Sequence, residues 1–440
     1  MLGHNGVDKT MTDSQSSLDV PDLPSWAHPP SDMTAATRDI KAAIRARIEA
    51  SGRSVEEVFG VVADLVSGRT DEIRSAEQAS GTGWPVIDYS DLAAGTVSAD
   101  SDSVVHRRGC LVVRGHFDHE QALSWDRQIV DYMDSNRFFE KYRGPGDDFF
   151  GAVDSKPEIY PIYWSHAQMQ ARQSERMAHV QAFLNSLWRN TSSGTERFEP
   201  HRNVLYPDRI RRRPEGTTST GLGTHIDAGT FDLWMKAEYQ QAFRHVFDGS
   251  IEQFDPWSAA HRTSGSQYPS TTMTSVFRTF QGWTALSDMA HDQGVLQTVP
   301  IPEAIAYLLL RPLLSDVADD DMCGMIAGQV FPVTERWHTP LLDALSGIPD
   351  IRAGDSVWWH GDMPHAVAPV TDQRGWGNVM YVPAAPWCPR NQTYAASALA
   401  ALNSGASPSD FPDENYEQDW PNRFQPHELN HYGRQSLGLD

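Results

Sequence analysis

The chain has 440 residues, 40% of them apolar, enough to bury a substantial core as one large domain or two ordinary ones. Its 36 basic side chains stand against 58 acidic ones, a formal charge of −22, and such a surface repels nucleic-acid phosphate and anionic membranes. The cysteines, Cys110, Cys323 and Cys388, are too few and too scattered for a disulfide framework or a Cys-rich zinc site.

Residues 1–33, rich in Asp, Ser and Pro, read as a flexible lead-in. They contain no apolar signal core, and no segment is long enough to span a bilayer, so a soluble, cytoplasmic protein is expected. Across residues 35–78 the spacing of Ile40, Ala43, Ile44 and Ile48, then of Val55, Val58, Val61, Val62 and Leu65, predicts two amphipathic helices. Residues 81–88 break that pattern. A strand is predicted at 109–114, a helix through Ala122, Trp125, Ile129 and Tyr132, and another helix over 166–188. The Met and Leu stripe of that last helix, including Met169, Met177, Leu184 and Leu187, reads as core.

From Val204 the chain changes character. Strand-like runs at 204–213, 223–231, 274–288, 294–300, 356–360 and 378–383 are separated by Gly, Pro and Asp. Helical inserts are predicted near 235–247 and 302–314, and a helix at 394–402 leads into a polar, Pro-rich tail. There is no internal repeat and no Gly-rich phosphate loop. The expected fold is mainly β with helical additions. A double-stranded β-helix of the jelly-roll, cupin-like kind is expected at 201–390, with a helical region at 34–200 packed on it and an extension at 391–440.

Two motifs carry chemistry. In Thr224-His225-Ile226-Asp227 the histidine and aspartate are two apart, so on a strand they leave the same face. Downstream, Gly354-Asp355 reads as a turn, followed by an aromatic strand and, ten residues after Asp355, by His365. Two imidazoles and one carboxylate form a facial set that suits Fe(II) and leaves positions open for substrate and dioxygen. His360 rivals His365 as the third ligand, and the ten-residue step from the turn favours His365. His166, His201 and His291 have no comparable partners and read as surface or core residues.

Together these residues resemble the HxD…H signature of the Fe(II)/2-oxoglutarate-dependent oxygenases. Further stretches are similar to the branch long catalogued as domain of unknown function 1479. They are Arg108–Gly115, Tyr163-Trp164-Ser165 with Gln168, Tyr206–Arg211, Phe280-Gln281-Gly282-Trp283 and Asn378–Pro386, and they extend over roughly residues 35–420. The resemblance implies a jelly-roll oxygenase core that takes Fe(II) at His225, Asp227 and His365, with 2-oxoglutarate and O2 as cosubstrates. It also implies an arginine or lysine for the far carboxylate of 2-oxoglutarate, and the candidates are Arg374, Arg278 and Arg213. Trp164, Trp283, Trp358, Trp359 and Tyr381 are candidate pocket aromatics. Asp227 argues against halogenation, which needs the carboxylate ligand to be absent. The implied activity is hydroxylation, desaturation or oxidative cyclisation of a small metabolite, such as an amino acid or other carboxylate. The alternatives are a cupin-type metal-dependent hydrolase or isomerase working without 2-oxoglutarate, and a non-catalytic metal-binding protein. The oligomeric state is open.

Overall fold

The computed structural model describes residues 22–144, 159–192, 194–270 and 272–439. The first helix, α1 (Met33–Ala50), starts where the Asp32 side chain accepts from Ala35 N–H at 2.9 Å. Its Ile40, Ile44 and Ile48 are four apart and buried. The second, α2 (Val55–Ser80), opens with a capping box between Ser54 and Glu57 and ends at Gly81, whose φ of 78° permits the left-handed turn. α2 packs on α3 (Ala304–Leu310), every residue of which is buried, and α1 on the 3-10 turn Arg311–Leu313 that follows it. Among the described residues no helix is long and apolar enough to cross a membrane.

The strands that matter for the site are β1 (Val86–Asp88), β2 (Cys110–Arg114), β3 (Ile159–Tyr160), β4 (Ile210–Arg213), β5 (Leu222–Ile226) and β6 (Phe280–Ala285). They continue with β7 (Leu296–Thr298), β8 (Phe331–Pro332), β9 (Ser346–Gly347), β10 (Ser356–His360), β11 (His365–Val367) and β12 (Gly377–Tyr381). A large sheet runs in the order β1-β2-β10-β6-β12-β4-β3, and a smaller one in the order β8-β5-β11-β7-β9. All pairings are antiparallel except β1 with β2. The chain therefore crosses between sheets repeatedly: β4, β6, β10 and β12 lie in the large sheet, and β5, β7, β9 and β11 in the small one.

Strand alternation sorts the large sheet's side chains onto two faces. Leu111, Val113, Ile210, Phe280, Trp358 and Met380 join a core under the helix at His119–Ser135 and its neighbours. Cys110, Val112, Trp283, Ala285, Val357, Trp359 and Val379 join the core between the sheets, with Leu296 of the small sheet. On the outer side of the small sheet, Ile226 and Phe331 pack with the residues of α1, α2 and α3. The order is helices, sheet, sheet, helices. Gly354 (φ 93°) makes the turn into β10, because a Cβ there would collide with the Phe117 carbonyl. Asp355 then accepts from Arg114 Nη1 (2.6 Å), Gly115 N–H (2.8 Å) and Arg352 N–H (2.9 Å), which ties the start of β10 to the end of β2.

Several expectations are corrected here. The fold is mixed rather than mainly β, with 40% helix against 16% strand. The strands are short, and the connections between them carry helices of their own. The expected lead-in lies outside the described residues as far as residue 21. From Asp22 on, the chain is fastened to the body: Trp26 N–H donates to Met235 O (2.8 Å), and Trp26 O accepts from the Tyr268 hydroxyl (2.6 Å). The helix expected over 166–188 is two, His166–Arg172 and Glu175–Ser186, divided at Ser174, whose hydroxyl caps the second by accepting from Met177 N–H. Free, buried thiols at Cys110, Cys323 and Cys388 agree with the absence of a disulfide framework.

Candidate metal centre

β5 and β11 are neighbours in the small sheet, and their register sets His225 directly opposite His365. A register shift follows at once, so that Leu222, three residues before His225, meets Val367, two residues after His365. Bulges of this kind re-aim side chains. The two rings lie 4.3 Å apart between centroids. Asp227, just beyond the end of β5, completes the group, with Oδ1 3.6 Å from His225 Nε2 and Oδ2 3.4 Å from His365 Nε2. One ligand atom from each of the three residues lies within 4.8 Å of the others.

The proton positions follow from the partners. His225 Nδ1 faces Gly223 O at 2.8 Å, and His365 Nδ1 faces Met363 O at 3.2 Å. A carbonyl can only accept, so each Nδ1 carries a hydrogen, and a neutral ring then presents its Nε2 lone pair toward Asp227. Burial, aided by the neighbouring His365, pushes His225 down to about 4, which keeps it a neutral ligand at ordinary pH. For Asp227, burial opposes ionisation, but His365, His225 and Arg278 outweigh it and hold the carboxyl below its usual range. Asp227 Oδ1 is buried and, among the described residues, accepts no hydrogen bond. An orphaned carboxylate oxygen beside two imidazole lone pairs fits a divalent cation, and the N2O donor set suits Fe(II).

His360 is committed elsewhere. Its Nε2 donates to Pro256 O (3.2 Å), its Nδ1 accepts from Asp362 N–H (3.1 Å), and its ring stacks on Trp188 at 4.6 Å. With both nitrogens used by backbone, it has no lone pair left for a metal. His166 pairs with Glu428 and His291 with Asp350, while His201 is exposed.

The three arginines expected to anchor a carboxylate fall in different places. Arg374 is 65% exposed and paired with Asp292 at 2.6 Å, so the structure does not bring it to the centre. It stands in the loop ahead of β12 and not on the strand. Arg213 is buried at the end of β4, where its Nη2 donates to Gln293 O (2.6 Å) and Gly294 O (2.9 Å). Arg278 is close enough for its charge to act on Asp227. Among the described residues its guanidinium makes no hydrogen bond and no ion pair.

Arg211 was not among the expected residues. β4 reads Ile-Arg-Arg-Arg, and alternation turns Ile210 and Arg212 toward the helices but Arg211 and Arg213 between the sheets. Arg211 is buried and, among the described residues, has no carboxylate partner, donating to Gly377 O at 3.3 Å and to the Met289 sulfur at 3.9 Å. Its charge also acts on the Tyr381 phenol. Gln281 is the other residue that the sequence reading passed over as a site member. It faces Trp359 across the β6–β10 pair, and the Trp359 ring lies 5.4 Å from that of His365. Of the five candidate aromatics, Trp283, Trp359 and Tyr381 border the space between the sheets. Trp358 points into the outer core, and Trp164 belongs to the core under the C-terminal helix (Pro389–Ser404).

Comparison with known proteins places this geometry in a family. The chain is 54% identical over 414 residues to the uncharacterized protein YbiU of Escherichia coli (strain K12), covering 93% of this chain and 97% of that protein. The crystal structure of the hypothetical protein JW0805 from Escherichia coli superposes with a TM-score of 0.88 at 51% identity, covering 94% of this chain and 99% of that one. GlcNAc Inducible Gene 2, GIG2 (DUF1479), from Candida albicans shares the fold with a TM-score of 0.74 at 21% identity, over 96% of this chain and 91% of that one. The Gig2-like pattern matches residues 31–439, and the chain belongs to the Gig2-like (DUF1479) family.

Proposed function

We propose that this protein is a non-haem Fe(II)/2-oxoglutarate-dependent oxygenase that oxidises a small metabolite by hydroxylation, desaturation or oxidative cyclisation. The observation that carries this reading is the His225–Asp227–His365 group, with both Nδ1 atoms pinned by backbone and Asp227 Oδ1 unpartnered. The interleaved strand orders, β4-β12-β6-β10 facing β5-β11-β7-β9, support a double-stranded β-helix as the frame. Iron held there would use 2-oxoglutarate and dioxygen to oxidise an unactivated carbon, with release of succinate and CO2.

The chain's own residues have separate tasks. His225 and His365 are each oriented by a backbone carbonyl at Nδ1, which leaves Nε2 as the atom turned toward the metal position. Arg211 and the Tyr381 hydroxyl offer a buried cation and a donor for the far carboxylate of 2-oxoglutarate, and charge-assisted pairing there relieves an otherwise uncompensated guanidinium. Trp283 and Trp359 wall the space and exclude water from the reacting centre.

The test is oxygen-dependent conversion of 2-oxoglutarate to succinate by iron-loaded protein. Slow uncoupled turnover is expected without the true substrate. Iron-loaded protein that binds no 2-oxoglutarate by calorimetry would overturn the reading and point to a hydrolase or isomerase on the same ligands.

A further inference from the structure

Two buried hydrogen-bond donors near the metal ligands have no acceptor among the described residues. Trp359 Nε1 and Gln281 Nε2 are both buried and unpartnered, in residues only 4% and 7% exposed. An unmet buried donor is costly, and native folds retain one where a ligand or an ordered water completes it. The two residues are direct cross-strand partners, so their side chains leave the same face of the large sheet, the face that carries Trp283 and looks toward His365. Arg278 stands three residues before Gln281, on the approach to β6, with no hydrogen bond or ion pair among the described residues.

Position along the sheet separates Arg278 from Arg211. Gln281 is level with Trp359, whose ring lies 5.4 Å from that of His365. Arg211 pairs with Val379, which in turn pairs with Ala285, four residues further along β6. Arg278 lies on the other side of that level. The centre therefore has one unpaired arginine on its inner side and another on its outer side. One small cosubstrate cannot use both cations with one far carboxylate.

We infer that Arg278, Gln281 and Trp359 form a second anion site that recognises a carboxylate of the substrate. This assignment rests on the oxygenase reading and deepens it. The charge balance selects the class of anion. With a divalent ion at Asp227 and a 2-oxoglutarate dianion bound, the centre would carry a net negative charge beside the single cation of Arg278, and the whole chain carries −22, so a monoanionic carboxylate fits and a phosphate dianion does not. A guanidinium with an amide and an indole N–H supplies donors enough for both oxygens of a carboxylate. The substrate class is thus a small organic or amino acid, with its carboxylate at Arg278 and its reacting carbon toward the metal.

The experiment uses full-length protein loaded with Mn(II) and a non-reactive 2-oxoglutarate analogue. Calorimetry would follow the binding of glycine, L-alanine, L-glutamate, lactate, pyruvate and benzoate, with inorganic phosphate and ethylamine as controls. At least one carboxylate is expected to bind, with phosphate and ethylamine silent. Arg278→Met should weaken that binding more than tenfold and Gln281→Leu several-fold, while Arg278→Lys restores part of it. Arg278→Met should still bind Mn(II) and the analogue within twofold of the parent. The inference is overturned if no carboxylate binds the parent, if Arg278→Met binds it equally well, or if Arg278→Met loses the analogue, since Arg278 would then anchor the cosubstrate. Failure of the parent itself to bind Mn(II) or the analogue would instead sink the oxygenase reading, and this inference with it.

Discussion

His225 and His365 sit directly opposite each other on adjacent strands, with their ring centroids 4.3 Å apart. Each is fixed from behind by a carbonyl two residues upstream. The pair is oriented before any ion arrives, so loss of either ring removes a ligand without disturbing the other's support. Alanine at His225, Asp227 or His365 is expected to weaken divalent-metal binding by more than the roughly 10–100-fold that loss of an outer partner costs. Titration with Co(II), read by its absorption, checks this. A His365→Ala protein that keeps normal affinity would show the third ligand to be misassigned.

Arg211 and Arg374 should separate cleanly. Arg211→Met is expected to lose roughly 2–5 kcal/mol of 2-oxoglutarate affinity, as when one partner of a buried charge pair is removed. Metal binding should survive. Arg374→Ala breaks only an exposed pair with Asp292, so binding should be unchanged and stability altered by about 0–1 kcal/mol. Calorimetry on both variants is the measurement, and the reverse pattern would return the anchor to Arg374.

Acid should unfold the protein through its buried histidines. Burial pushes His116 down to about 3 and both His338 and His360 to about 4, against 6.5 for an exposed ring. The unfolded chain therefore binds more protons than the folded one between about 4 and 6.5. Stability is full above that window and falls as pH drops through it, by about 1.4 kcal/mol per pH unit for each group. His360→Gln, away from the metal ligands, should flatten the slope by one proton. Denaturant midpoints taken across pH 4–7 would reveal an unchanged slope if the argument fails.

Glu417 works with the opposite sign. Its carboxylate accepts from the Tyr132 hydroxyl (2.7 Å), Tyr163 N–H (2.6 Å) and Trp164 N–H (2.9 Å), and burial pushes it up to about 7. The folded state then holds the proton more tightly than the unfolded one, so this group's contribution is greatest below about 4.5 and declines as pH rises to about 7. Glu417→Gln should abolish that decline. It should also cost about 1–3 kcal/mol, because an amide nitrogen replaces one accepting oxygen. Thermal melts at pH 5 and 8 separate the two effects.

The parts of the fold legible in the sequence were those with a long, regular period. α1 and α2 declare themselves by their Ile and Val spacing, and β10 emerges at the residues expected of it. Strands of two or three residues, such as β8, β9 and β11, have no period to read, so the strand that carries His365 was invisible although His365 itself was not. The division at Ser174 was hidden because the apolar stripe continues on both sides of it. Arg211 was missed for a different reason. A run of three arginines looks like a solvated edge, and only the pairing of β4 with β12 shows that alternate members are turned inward.

The placement of β2 has a consequence for dissection of the chain. β10, which follows the Gly354-Asp355 turn and precedes His365, has β2 along one side and β6 along the other. A fragment cut to residues 201–390 would lack β2, leaving Ser356, Val357, Trp358 and Trp359 with a row of bare peptide groups on an apolar edge. Such an edge recruits foreign strands. That fragment should consequently aggregate when expressed alone, and a soluble one would have to begin well before Cys110.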